Sequence, residues 1–371
     1  MTRTTFWYVM RMFLGYCVAI FGVVLVIFII ADLGDRVRMV SKGEWMDVLE
    51  LYSNKALVAA LQLGPAALLL GASATVSTLR KRGELSALRS LTFGPQVLYV
   101  PIAVCSLVGA VGLWAFDEWV VTGAGERVDH LTVTRFNTWG DWRFFYSPKQ
   151  WFRRGDRIFH LRHGDVERGF ENVTILTLNP EFDLLSRLDA EKMEFVSDTT
   201  WKLTNVVERR FRNQAHSLHP SPLSVRELGL RREDLHIRQG RPEQMTVPRL
   251  LEQIAIRSRV GLSIRRFQLA LHNRFAYPLT GVAAALLAVG LAMRPGRKGH
   301  LTVALMEGFA IAMALWVMMV VAKSLVLAER VVAWAAAWSP LLILLSVAVY
   351  LGARQEGWNG KWPLFRPQKA P

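Results

Sequence analysis

The chain has 371 residues, of which 52% are hydrophobic, and it combines a formal net charge of +15 with a mean hydropathy of +0.23. A soluble nucleic-acid-binding protein of this charge would be hydrophilic, and a fully buried membrane bundle would not carry 20% charged residues. The composition also excludes collagen-like, disordered and disulfide-stapled proteins, since both cysteines, Cys17 and Cys105, lie in apolar runs. Charge and apolar mass are therefore expected in different segments.

Six segments are long and apolar enough to cross a membrane, which takes about 20 residues at ~1.5 Å each. They are residues 13–31, 56–79, 97–116, 275–293, 301–322 and 331–351. No small-residue cleavage site follows the first, so we predict a retained span and not a signal peptide. The predicted fold is an α-helical membrane protein with three helices in 1–116, a large polar insert at 117–273, and three helices with a tail in 274–371.

The positions of the basic residues predict the orientation of these spans. On one side, the flanks and loops hold 13 Lys and Arg residues and two acids, Glu84 and Glu356, whereas the opposite short loops mix both signs. We therefore expect both termini in the cytoplasm and residues 117–273 outside it. Because the insert holds 25 basic and 21 acidic residues, most of the net charge is a topology signal and not a nucleic-acid-binding surface.

The polar insert has the alternating pattern of β-strands. Residues 157–162, 173–178, 192–196 and 201–207 alternate in polarity and are separated by turn sequences, which predicts an all-β sandwich or open barrel. The Pro-Ser-Pro sequence at 220–222 indicates a loop. Residues 247–273 have helical periodicity and predict one or two amphipathic helices that lead back to the membrane.

The chain lacks the common catalytic and nucleotide-binding motifs. It contains no G-x-x-x-x-G-K-[ST] phosphate loop, G-x-S-x-G elbow, H-E-x-x-H or C-x-x-C sequence. His160 and His163 stand close together, but residues three apart on a strand point to opposite faces, so we predict surface histidines and no metal site. Catalysis on this chain is not expected.

Two short polar segments carry a functional signal. Residues 80–91 are compatible with a short helix in which Leu85 and Leu88 form an apolar stripe beside the acid Glu84. An ordinary positively charged loop explains the arginines there but not this arrangement, which suits docking into a groove of a partner protein. Residues 32–38 place basic residues at the other interface, where charge alone fits both a snorkelling anchor and a contact with anionic lipid head groups.

This architecture resembles the permease subunits of the lipopolysaccharide export ABC transporter, the LptF/LptG family, and is closer to LptG. Residues 82–89 (Arg-Gly-Glu-Leu-Ser-Ala-Leu-Arg) are similar to the coupling-helix pattern of that family. Further similarities are Asp-Glu-Trp-Val at 117–120, Trp-x-x-x-Gly-Asp from 151, and the run at 267–293. Together they cover essentially the whole chain, with Gly83 at a position where the family usually has serine.

The resemblance implies a bacterial inner-membrane subunit that exports lipopolysaccharide without a catalytic site or cofactor of its own. ATP would be bound by a separate cytoplasmic P-loop ATPase dimer, and a coupling helix at 80–92 would dock into that ATPase. The residues implied in this docking are Arg82, Glu84, Leu85, Ala87, Leu88 and Arg89. Arg36, Arg38 and Lys42 would contact the phosphates of lipopolysaccharide.

The same resemblance implies the other partners. A second six-span, LptF-like permease would complete a membrane cavity, with spans one and five at its lateral gates. The insert would be a β-jelly roll with an apolar interior suited to acyl chains. It would pass the lipid to a single-span LptC-like protein with a similar domain and to an LptA-like periplasmic bridge. The alternatives are a permease for another lipid or lipoprotein, and a membrane-anchored periplasmic scaffold or sensor.

Overall fold

The computed structural model describes residues 3–35, 44–91, 93–136, 150–165, 169–197, 199–212, 215–235, 241–294 and 300–355. The chain forms two compact units. One is helical and combines Met1–Phe136 with Leu271–Pro371, and the other, Asn137–Ala270, contains a β-sheet.

The prediction of six membrane-spanning helices is confirmed. Four predicted spans fall entirely within such a helix, and the spans at 275–293 and 331–351 extend past their helices by one and two residues. In chain order the helices of the helical unit are α1 (Arg3–Asp35), α2 (Trp45–Lys81), the short α3 (Glu84–Ser90), α4 (Gln96–Phe116), α5 (Thr122–Thr134), α7 (Arg265–Ala292), α8 (Leu301–Leu327) and α9 (Ala333–Gln355).

The third span continues beyond the predicted boundary at residue 117. A π-helical turn, Asp117–Val121, joins α4 to α5, so the helix runs without a break to Thr134 and the β unit begins only at Asn137. Asp117 and Glu118 are polar enough to suggest the end of a span. The helix continues through them because Arg274 of α7 lies beside both carboxylates.

Small residues let the helices of this unit pack closely. At Gly71 of α2, an added Cβ would collide with Sγ of Cys17 on α1, so the two helices touch at a position that tolerates no side chain. At Gly281 of α7, an added Cβ would lie 3.0 Å from Cα of Pro65. The core of the bundle is accordingly built from the first half of α1 and the buried faces of α2 and α7.

The β unit contains one antiparallel sheet of six strands in sequential order. The four predicted strands are confirmed and are longer than the sequence suggests, and two strands were missed. The strands are β1 (Gln150–Arg154), β2 (Arg157–Asp165), β3 (Gly169–Leu178), β4 (Leu184–Ser197), β5 (Thr200–Arg212) and β6 (Ala215–Glu227). The prediction of a loop at 220–222 is wrong, because Pro220 lies in β6 and pairs with Val207 of β5. Strand β6 is at the edge of the sheet, where a residue without an N–H group is tolerated.

One face of the sheet is covered by the segment that follows it. Helix α6 (Val247–Arg259) contributes Ile256, and the loop after β6 contributes Leu228 and Leu230 to a core around the fully buried Trp201. The indole N–H of Trp201 donates to the carbonyl of Leu230 at 2.9 Å. The sheet is thus a meander within the described residues, and the segment after it covers the apolar face that the jelly-roll resemblance assigns to acyl chains.

Candidate functional site

The predicted coupling segment forms a short helix held between two membrane spans. Arg80 and Lys81 still belong to α2, and the chain turns at Arg82 and Gly83 before α3 begins at Glu84. Gly83 has φ +75°, a left-handed conformation that glycine adopts without a steric penalty. Gly83 therefore allows the chain to turn between α2 and α3 without strain.

One side of α3 is fixed to the bundle and the other faces outward. Leu85 is 4% exposed and belongs to the same core as Phe13 of α1. Leu88 is half-buried, and Ala87 is exposed. Arg89 is part of the helix, but its side chain lies outside the described residues. The apolar stripe predicted from the sequence thus faces the chain's own bundle at Leu85 and leaves the opposite surface accessible.

Glu84 makes contacts that sequence reasoning did not anticipate. The hydroxyl of Tyr8, on α1, donates to Oε1 of Glu84 at 3.1 Å, and Nη1 of Arg82 lies 3.8 Å from the same oxygen. The side chain of Glu84 is still 35% exposed. The sequence also places Arg80 four residues before Glu84, a spacing that predicts an ion pair on a helix. In the structure, Arg80 belongs to the preceding helix and donates to the carbonyl of Arg294 at 3.0 Å. Glu84 therefore links the short helix to the first span while remaining accessible.

The residues around α3 come from one end of the helical unit. Tyr8 lies near the start of α1, Arg80 near the end of α2, and Arg294 directly after α7. These chain positions belong to the basic flanks from which the cytoplasmic side was predicted. The structure therefore brings the basic flanks together, as the positive-inside pattern requires.

At the other end, an ion pair between spans was missed by sequence reasoning. Nη1 of Arg274 lies 2.7 Å from Oδ1 of Asp117 and 3.9 Å from Oε2 of Glu118. The Arg274 side chain is 3% exposed. The rings of Trp114 and Phe275 stack beside it with centroids 6.2 Å apart. The signal was present as acids at the end of one span and an arginine at the start of another, which in a membrane protein favours pairing.

The predicted lipid-contacting residues Arg36, Arg38 and Lys42 lie outside the described residues. They follow directly after α1, whose last turn contains Asp32. Lys55 of α2 donates to Oδ2 of Asp32 at 2.5 Å, and Arg127 of α5 donates to Oε1 of Glu50 at 2.5 Å. These two ion pairs join the helix ends that flank the predicted lipid site.

The histidine prediction is partly wrong. His160 is buried and its ring stacks on that of Trp151 at 4.1 Å, because β1, a strand missed in the sequence, pairs with β2 and places Trp151 opposite His160. The side chain of His163 lies outside the described residues. Over the described part of the chain, no cluster of three or more His, Cys, Asp or Glu side chains could hold a metal ion.

Comparison with known proteins identifies the family. No curated protein matches the chain in sequence. A sequence model of the family described as lipopolysaccharide export system permease LptF/LptG matches residues 7–354, which include all six spans, the short helix α3 and the β unit. That model covers both subunits, so the choice of LptG over LptF stays a prediction. The six spans, the inserted antiparallel sheet and this match show that the chain belongs to the LptF/LptG family of lipopolysaccharide export permeases.

Proposed function

We propose that this chain is a transmembrane subunit of an ABC transporter that takes lipopolysaccharide from the bacterial inner membrane and passes it to a periplasmic bridge. A separate P-loop ATPase dimer binds and hydrolyses ATP, and this chain carries no cofactor. The observation that carries the proposal is the short helix α3, which is anchored at Leu85 and presents Glu84 at the basic end of the bundle. Both termini and α3 are cytoplasmic in this proposal, and the β unit is periplasmic.

The geometry of α3 suits the transmission of force. A helix of seven residues has little stability alone, so its position depends on what it packs against. Leu85 ties it to the bundle core, and Glu84 ties it to Tyr8 of α1. A partner that binds the accessible side of α3 would thus move the first span through these contacts. It would also move α2 and α4, which precede and follow α3 in the chain.

Two spans leave wide apolar surfaces uncovered in the single chain. In α1, no residue between Val18 and Asp35 is buried, and most of α8 is likewise exposed. Lipid can cover such surfaces. A cavity shared with a second, LptF-like permease would explain why these two helices are more exposed than the other four. In this proposal α1 and α8 flank that cavity, and Arg36, Arg38 and Lys42 receive the lipid phosphates at its outer edge.

The β unit is proposed to deliver the lipid to an LptC-like partner and an LptA-like bridge. Its apolar face is covered by Leu228, Leu230 and Ile256 in the described structure. Acyl chains therefore reach that face only if this cover moves, or else they travel along a surface shared with a partner domain. The accessible apolar side chains of β6, Leu223 and Val225, lie at the sheet edge where such a partner strand could pair.

The coupling role is tested by Glu84→Lys in the full complex. Charge reversal is expected to reduce co-purification of the ATPase and to abolish lipid-stimulated ATP hydrolysis, because an acid that faces basic residues becomes repulsive. Tyr8→Phe is the matched control, since it removes the hydrogen bond inside the bundle but keeps the carboxylate. If Tyr8→Phe causes the same loss, Glu84 acts within the bundle, and if Glu84→Lys leaves coupling intact, the proposal fails.

The cargo is tested by mass spectrometry of lipids that co-purify with the complex. Lipopolysaccharide is expected, at a level reduced by the triple change Arg36→Ala, Arg38→Ala, Lys42→Ala. A different enriched lipid or a lipoprotein would support the permease for another cargo. Purification without any P-loop ATPase would instead favour the scaffold or sensor, which needs none.

A further inference from the structure

A cavity lies beside α3 at the basic end of the helical unit. Its volume is about 900 Å³, which is in the upper part of the range of ligand pockets, roughly 300–1,000 Å³. Leu85 and Leu88 of α3 form one wall, and Phe93 and Leu98, before and within α4, form a second. The ends of α7 and α9 complete the lining. The cavity thus lies between the short helix and the ends of three membrane spans, beside the contact that Leu85 makes with the bundle core.

The lining has two chemical parts. Most of it is apolar, and the charged side chains among its described lining residues are Arg294 and Arg354. Both arginines are exposed, whereas Leu85 and Leu98 are buried. The guanidinium of Arg354 lies 5.8 Å from the ring centroid of Tyr350, and the backbone of Arg294 is held by Arg80. An apolar chamber with two cations at its rim and no described carboxylate suits an anionic amphiphile.

The position in the spans points to the kind of amphiphile. Arg294 follows the last turn of α7, and Arg354 lies in the last turn of α9, so both stand where an apolar span meets the lipid head groups. Basic pockets between spans at this level bind anionic lipid head groups by charge and acyl chains by apolar contact. We propose that the cavity binds one anionic glycerophospholipid of the adjacent leaflet, with its phosphate between Arg294 and Arg354 and an acyl chain against Leu85, Leu88 and Leu98.

This lipid is distinct from the proposed cargo in site and in leaflet. The predicted cargo contacts follow α1 at the opposite end of the bundle from Arg294. The bound phospholipid would fill the space under α3 and brace it against the spans. Only the naming of the leaflet as cytoplasmic rests on the proposed function, and binding to the purified chain needs neither the ATPase nor lipopolysaccharide.

The test measures lipid retention by the full-length chain. Purified protein is reconstituted in nanodiscs that contain equal amounts of phosphatidylglycerol and phosphatidylcholine, extracted with mild detergent, and weighed by native mass spectrometry. One phosphatidylglycerol is expected to remain in preference to phosphatidylcholine. The double variant Arg294→Ala, Arg354→Ala should weaken that retention about 30-fold, at roughly fivefold per arginine.

Two further variants make the outcome decisive. Arg3→Ala with Arg11→Ala removes the same charge from α1 at the same end but does not touch the cavity lining, and it should retain the lipid. Gly94→Phe adds a ring to a residue that lines the cavity and has open space at its Cβ, and it should exclude the lipid. Equal losses in both double variants, no preference for phosphatidylglycerol, or full retention in Gly94→Phe would each overturn the proposal. A severalfold gain in binding when residues 356–371 are deleted would also overturn it, because the tail would then be the occupant.

Discussion

The ion pair between Arg274 and Asp117 offers a sharp test of how the third and fourth spans are held together. The perturbation is Arg274→Met, which keeps an unbranched side chain of similar length and removes the charge. It removes the positive charge that lies beside Asp117 and Glu118, whose side chains are each 12% exposed. Breaking a buried pair in this way destabilises proteins mainly through the charge left behind.

The structure sets the size of the effect. At the 2.7 Å between Nη1 of Arg274 and Oδ1 of Asp117, the Coulomb attraction is about 6 kcal/mol at an effective dielectric constant of ~20. Desolvation of the arginine, 3% exposed, offsets much of that gain. The expected loss on Arg274→Met is therefore about 3–5 kcal/mol, as for other broken buried pairs.

The assay measures the apparent Tm of the full chain in detergent. The signal is the loss of the monodisperse peak in size-exclusion chromatography as the temperature rises. Arg127→Ala is the matched control, because its 2.5 Å contact with Glu50 is shorter but its side chain is 55% exposed. A surface pair of this kind contributes ~1 kcal/mol or less. Adding Asp117→Asn to Arg274→Met should restore part of the loss by removing one orphan charge. Equal shifts for Arg274→Met and Arg127→Ala would refute the reasoning that burial, and not distance, decides the contribution.

Three further predictions concern single side chains. Gly83→Ala should cost about 1 kcal/mol of stability through its left-handed φ, measured as apparent Tm, whereas Gly94→Ala, with open space at its Cβ, should be nearly neutral. Burial works to raise the pKa of Asp189, but hydrogen bonds, foremost from Arg187, hold it below its ordinary value of 3.8. The resulting stability is present above pH 3.8 and is lost as pH falls through the folded-state pKa, so Arg187→Ala should flatten the acid limb of a melting-temperature profile. Trp201→Phe orphans a buried carbonyl and should speed amide exchange in β5, at a cost of about 2 kcal/mol.

The spans were predictable because membrane crossing imposes a strong local rule. An uninterrupted apolar run of sufficient length has few structural alternatives in lipid, so the helices could be located from composition. Their ends were less predictable, because they depend on partners far away in the chain. Asp117 reads as a boundary until Arg274 is placed beside it, more than 150 residues later.

The strands show the same limit. The predicted strands were those whose alternation is clean, whereas β6 was hidden by Pro220, which only an edge position allows. His160 was predicted at the surface because nothing local places Trp151 opposite it. Sequence periodicity therefore locates strands with regular alternation. Irregular strands become evident only when the neighbouring strand with which they form hydrogen bonds is known.

The proposed coupling segment shows how contacts within the chain change the interpretation of one side chain, Glu84. Composition isolated Glu84 as an acid in a basic loop, and the sequence placed its contacts with Arg80 in the same segment and with a partner protein. The hydrogen bond from Tyr8 changes that expectation, since the carboxylate already holds α3 to α1 at a contact that lies partly at the surface. Both described contacts use Oε1, so a cation on an ATPase can approach Oε2 without first breaking the link. In the proposed transporter, one side chain therefore receives the partner and connects it to the span that flanks the lipid cavity, which explains why an acid is placed where the positive-inside pattern would otherwise favour a basic residue.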